Sequence, residues 1–332
     1  MNTGNVPKSN FSTAFSNFNR NYVIFYALLG TGLILSLLTP RFLTVPNLMI
    51  IFRQASIIAI VAAGQFFVLV GGHFDLSVGS TVTLSGVIFA GAIVFFGIDP
   101  VTAGVLAVIV GLIIGFINGI LVTKIGLPAF IATMATMMSC AGLALLLTRA
   151  RPISRLPDSI AWIGRGAIGD IRTFGVPYMV IIMFAVFIVA FIITEKTNFG
   201  RYIYAIGGNS EAAYLSGIPT TKYKISTFLI SGMTASVASI ILVSRLGAAD
   251  PHAGTGFEFQ AITACVIGGT AITGGRGKIF GVLIGALFLA TLFNGMTLLN
   301  VDTFIQQILQ GVVLAVAVGI DAIKNKMVSR QD

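Results

Sequence analysis

Charge is what this chain has least of. Only 9% of its 332 residues are Asp, Glu, Lys or Arg, against about a quarter in a soluble domain. With 56% hydrophobic residues and a mean hydropathy of +0.98, that shortage excludes a water-soluble fold. Cysteine is scarce too. Cys140 and Cys265 sit inside apolar runs at no metal-binding or redox spacing, so they read as inert, buried thiols. The two histidines form no HExxH, and there is no GxSxG, no carboxylate pair and no Ser/His/Asp pattern. The chain is therefore expected not to be an enzyme, with no catalytic residue and no metal site. Gly274-Gly275-Arg276-Gly277-Lys278 has the look of a nucleotide loop. A P-loop, however, needs Gly where Ile272 stands and Ser or Thr where Ile279 stands. No cofactor is expected on this chain, and any energy from ATP must enter through another polypeptide.

What the chain has instead is apolar length. A bilayer core takes about 20 mainly apolar residues per helix. Ten spans are predicted, near 22–39, 47–70, 78–97, 102–122, 127–148, 177–194, 225–246, 259–274, 279–298 and 303–322. The expected fold is an all-α polytopic membrane protein with interrupted helices. Its 38 glycines suit close helix contact in lipid. The net charge of +9 comes from short basic clusters between spans, as orientation signals do, and not from a nucleic-acid-binding patch. With the first end inside, the inner side receives Lys8, Arg20, Lys124, Lys196, Arg201, Lys222, Lys224, Arg276, Lys278, Lys324, Lys326 and Arg330. The outer side receives Arg41, Arg149, Arg151, Arg155, Arg165 and Arg172. This bias predicts that both termini are cytoplasmic. Residues 1–20 are polar and run into the first span without a small-residue cleavage site, which predicts a retained span. The division expected is a tail over 1–21, a transmembrane domain over 22–324 and a tail over 325–332.

One polar interval, Glu195–Lys224, has internal order. Asn209 or Ser210 can cap a short helix over Glu211–Ser216, and Gly217 with Pro219 stops it, Gly217 at positive φ. Two turns are too short to stand alone, so this helix must dock on something. Ala212 and Ala213 read as a small face that lets a partner approach closely. Elsewhere, Val68-Leu69-Val70-Gly71-Gly72 and Cys265-Val266-Ile267-Gly268-Gly269 look like copies, implying a parallel repeat of spans 1–4 and 7–10. Gly-interrupted spans at matching positions point to a transport site.

Ionisable residues at membrane depth are Arg53, Asp75, Arg245 and Asp321. Arg53 can snorkel to the outer end. Asp75 either caps the helix that follows it or takes part in gating or solute passage. Gln65 and Asn118 either bond across helices or line a polar path, so Gln65, Asp75, Ser77 and Asn118 are the pathway candidates. The segment Arg149–Val176 opposes the charge bias. It is either a solvated loop paired to Asp158 and Asp170 or a basic landing surface, with Arg149, Arg151 and Arg155 as the docking candidates.

Four stretches carry a resemblance: GGHFDLSVGS (71–80), KIGLPAFIATMATM (124–137), FGRYIYAIGGNSEAAYLSGI (199–218) and VIGGTAITGGRGKIFGVLIGAL (266–287). Over nearly its whole length the chain resembles permease subunits of bacterial ABC importers for simple sugars, of the ribose-transport type. That family usually reads GGIDLSVGS in the first stretch, so His73-Phe74 here replaces one apolar residue. The resemblance implies a monosaccharide permease of the inner membrane, usually a homodimer. It implies a cytoplasmic subunit that binds ATP and Mg²⁺ and a periplasmic sugar-binding protein. It also implies that Gly208, Asn209, Glu211, Ala212, Ala213 and Gly217 belong to the segment that couples to the ATPase. The rival reading is an ion-coupled secondary transporter acting alone, for which Asp75 is the central carboxylate candidate.

Overall fold

A computed structural model of the chain describes residues 10–170 and 175–328. The elements are α1 (Asn10–Leu38), α2 (Val45–Val70), α3 (Val78–Phe96), α4 (Pro100–Thr123), α5 (Ala129–Thr148), α6 (Ala161–Arg165) and α7 (Tyr178–Lys196). They continue with α8 (Asn198–Gly208), α9 (Ser210–Leu215), α10 (Thr220–Leu246), α11 (Phe257–Ile267), α12 (Ile279–Leu298) and α13 (Thr303–Val328). Two-residue strands, β1 (Ala167–Ile168) and β2 (Val176–Pro177), pair antiparallel between α6 and α7.

Among the described residues, α2, α3, α4, α5, α7, α10, α12 and α13 are long and apolar enough to cross a membrane. The apolar part of α1 and the whole of α11 are shorter. The span expected near 259–274 thus contracts to the eleven residues of α11, because Gly268-Gly269 ends the helix. Helix α1 already begins at Asn10, so part of the expected tail is helical. Residues 1–9 and 329–332 lie outside the described residues.

Helices α2 and α10 form the centre and run antiparallel. From Ala55 to Val70 nearly every residue of α2 is buried, as befits a helix that is apolar on all sides. Ser231 and Thr234 of α10 stand at Gly64, and Thr227 stands at Gly71. Helix α4 lies so close to α10 that a Cβ on Gly111 or Gly115 would overlap the carbonyls of Gly232 and Phe228. Small residues at both surfaces let the backbones meet, so dispersion contacts replace a hydrophobic drive that lipid cannot supply. A hydroxyl pair ties α3 to α10 as well, in the 2.9 Å bond between Ser85 and Ser236.

The bundle has two unlike ends. At one, beyond the C-terminus of α10, three arginines gather. Arg53 donates to the Arg165 carbonyl (3.2 Å) and Arg165 to the Arg245 carbonyl (2.9 Å). Helix α6 packs Gly164 onto the Ser244–Arg245 backbone, and Ile153 and Ala249 exchange two backbone bonds of 2.9 Å. The segment after α5 is therefore docked on the bundle, with Ile160 buried and Trp162 and Ile168 exposed. At the other end glycines from three segments converge.

Candidate functional site: a glycine junction between two broken helices

The two look-alike stretches fold alike. After α2, the N–H groups of Gly71, Gly72 and His73 donate to Phe67, Leu69 and Val68 at 3.1, 2.9 and 3.0 Å. After α11, Gly268, Gly269 and Thr270 donate to Ala264, Val266 and Cys265, each at 2.9 Å. Gly72 and Gly269 take φ of 82° and 88°, a left-handed conformation that penalises any Cβ. The sequence repeat is thus one helix-stopping turn used twice.

Between these turns lies the end of α8. Gly207 sits against the Val70 carbonyl, which a Cβ there would overlap. The same carbonyl accepts the Gly275 N–H at 2.9 Å. A Cβ on Gly274 would come within 2.7 Å of Gly72 Cα, and one on Gly275 within 2.7 Å of Gly208 Cα. Three backbones therefore cross with no side chain between them, and none can move alone. Tyr204 of α8 adds a bond of 2.9 Å to the Gly277 carbonyl. Burial, then the nearby Glu195 carboxylate, pushes this phenol up to about 12, so it remains a donor at neutral pH.

Helix α8 passes directly into α9. The Asn209 side chain accepts from Glu211 N (3.1 Å) and Ala212 N (2.9 Å), the cap expected there. At the far end Ile218 N bonds Ala213 O and Gly217 N bonds Tyr214 O, with Gly217 at φ 82°, which is a Schellman stop. One feature differs from expectation. Ala213 is only 5% exposed and faces the bundle, while Tyr214 and Leu215 are 67% and 78% exposed. The outward surface is therefore Ala212, Tyr214 and Leu215 rather than a pair of alanines. Gly208 has open space where a Cβ would stand.

The pathway candidates come together as one buried knot. Asp75 accepts from Ser77 N (2.9 Å), Ser77 Oγ (2.6 Å) and Ser231 Oγ (2.8 Å). Asn118 donates to Ser77 Oγ at 2.8 Å, and the Gln65 amide pairs with the Asp75 backbone at 3.0 and 3.2 Å. Gln65, Asp75, Ser77 and Asn118 are each at most 2% exposed, so none faces an open path here. Ser77, not Asp75, occupies the N-cap of α3; Asp75 holds that cap residue rather than the helix N–H groups. His73 stacks on Phe228 at 6.1 Å, which gives the unusual His73-Phe74 pair a place against α10.

Sequence reasoning missed Glu258. Placing the span at 259–274 left this residue outside it, whereas α11 begins at Phe257. Glu258 is 6% exposed and abuts Gly79 in the first turn of α3. Gly256 is the N-cap of α11, so the carboxyl group also stands at the start of its own helix. Ser231 donates to Asp75, just ahead of α3, and Ser239 to the Val82 carbonyl of α3, so this contact lies level with the middle of α10. A carboxylate between two helix N-termini is the charge their dipoles favour. An acidic residue one place before an apolar run was the available signal.

Arg149, Arg151 and Arg155 lie at the arginine end, all exposed, around a recess of about 550 Å³ that also takes in Phe95 and Leu147.

Comparison with known proteins gives this geometry a context. Residues 47–318 match the family described as branched-chain amino acid transport system / permease component. The chain belongs to this family. The ribose import permease protein of Bacillus subtilis is 42% identical over 295 residues, 88% of this chain and 90% of that protein. The Escherichia coli ribose import permease protein is 42% identical over 299 residues, covering 89% and 91%. The D-allose transport system permease protein of Escherichia coli is 36% identical over 316 residues, covering 92% and 95%. No solved structure matches.

Proposed function

We propose that the chain is the membrane-spanning permease of an ATP-driven importer of a monosaccharide, working as a pair of permease subunits in the inner membrane. The glycine end faces the cytoplasm, where α9 seats on a separate ATP-binding subunit. The arginine end faces a periplasmic sugar-binding protein, with Arg149, Arg151 and Arg155 available to acidic side chains. The identity to ribose and D-allose permeases supports a sugar as cargo. It also weighs against the ion-coupled alternative.

One observation carries the reading. Helix α9 is joined through Gly207–Gly208 to both broken helices. Force applied to α9 by a partner therefore reaches the turn that ends α2 and the Gly274-Gly275 loop that follows α11. Packed, two-state elements convey such displacements better than loops do. Chemistry stays on the partner subunit. This chain contributes the lever, the turns and the path.

The test is the α9 surface. The double variant Tyr214→Ala, Leu215→Asp leaves the membrane domain intact, because both side chains point away from it. It is expected to lose co-purification with the ATP-binding subunit, and uptake with it. Full association and uptake in the variant would refute the assignment.

A further inference from the structure

A cavity of about 780 Å³ opens at the arginine end between α2, α10, α11, α12 and α13. It descends to Ile57 on α2 and Leu314 on α13, while the glycine junction lies at the other end of the bundle. Its size falls within the roughly 300–1,000 Å³ typical of small-molecule sites.

The lining is mostly apolar, with Phe257, Phe259 and Phe293 contributing, yet it carries five amides. Gln306 donates to the Val301 carbonyl (3.0 Å), and Gln260 and Gln310 face each other at 3.5 Å. The amides of Gln54 and Gln307 bond no other described group. Among the described residues, Arg245 is the one charged residue lining the cavity, and no carboxylate does so. A metal or ammonium ion would need carboxylates, which are missing. An acyl chain would leave the amides without partners in an apolar setting, which is unfavourable. A neutral polyol fits. Each hydroxyl donates and accepts, as each amide does, and apolar C–H faces lie against the phenylalanine rings.

The cavity is also tied to the moving parts. Helix α11 lines it with Phe257, Phe259 and Gln260 and ends in the Gly268-Gly269 turn. No described residue of α13 is buried, so the helix bearing Gln306, Gln307 and Gln310 is held lightly.

We propose that this cavity is where the sugar rests within the permease, held by the amides of Gln54, Gln260, Gln307 and Gln310. This rests on the importer reading above, and the experiment separates the two. The full transporter, with its ATP-binding subunit and binding protein, is placed in vesicles and offered labelled ribose, xylose, arabinose and allose. If the wild type imports none of them with ATP, the importer reading fails and the cavity inference with it. If it imports one, Gln54→Leu, Gln307→Leu and Gln310→Leu test the cavity alone. Each is expected to lower the sugar moved per ATP hydrolysed by about tenfold, as sites built to bond hydroxyls lose most when a partner is removed. In a chain with Cys140→Ala and Cys265→Ala, Gln307→Cys should react with a small polar thiol reagent, and the imported sugar should slow that reaction. An unchanged ratio in all three variants overturns the proposal, including the case where uptake and hydrolysis fall together. Labelling indifferent to sugar, as for a lipid-filled cavity, also overturns it.

Discussion

The glycine end and the arginine end of this bundle are built on opposite principles. At the glycine end three backbones touch with no side chain between them, so position is set by carbonyls and N–H groups that have no rotamers. At the arginine end long side chains reach carbonyls across gaps, a docked loop closes over α10, and a cavity is left open. Dense backbone packing conveys displacement, because close-packed matter has no slack. Open, side-chain-lined space admits a solute. A transporter needs both, and here they sit at opposite ends of the same broken helix α11.

The largest effect is expected where the packing is tightest. Gly207→Ala drives a methyl into the Val70 carbonyl and should destabilise the chain by about 3 kcal/mol. At the adjacent Gly208 a Cβ meets open space, so Gly208→Ala should be neutral or stabilising by up to about 1 kcal/mol. Thermal unfolding of both in detergent gives the contrast; equal melting temperatures would mean the junction is not close-packed.

A smaller loss is expected between the ends. Glu258→Leu removes the carboxylate from between the first turns of α3 and α11 and should cost about 2 kcal/mol. Glu258→Gln keeps an acceptor oxygen and should cost less. The same melting assay ranks them, and a Gln variant as unstable as the Leu variant would assign the whole effect to charge.

The smallest structural effect belongs to the exposed arginines. Arg149→Gln, Arg151→Gln and Arg155→Gln together should alter stability by less than about 0.5 kcal/mol. They should raise the apparent KM for loaded binding protein and flatten its salt dependence, since exposed charges act through encounter rate. Unchanged kinetics across a salt series would leave this surface merely solvated.

Legibility in the sequence followed range of interaction. Asn209, Gly217 and the Gly71-Gly72 and Gly268-Gly269 stops are local devices, and their residue types state their geometry. The bundle was legible because apolar length is a physical requirement of the bilayer. The junction was not, since contacts among Val70, Gly207 and Gly275 join distant segments and glycine carries no side-chain signal. Glu258 was lost to a span boundary drawn too late. The burial of Ala213 was hidden because a two-turn helix shows too few residues to reveal a face.

The central claim is that the close-packed glycine end faces the cytoplasm and the open arginine end faces outside. It is tested with a membrane-impermeant thiol reagent on intact cells, in a chain carrying Cys140→Ala and Cys265→Ala. Asp158→Cys should label at once, and Ser210→Cys only after the membrane is opened. Prompt labelling of Ser210→Cys in intact cells, with Asp158→Cys protected, would contradict the account.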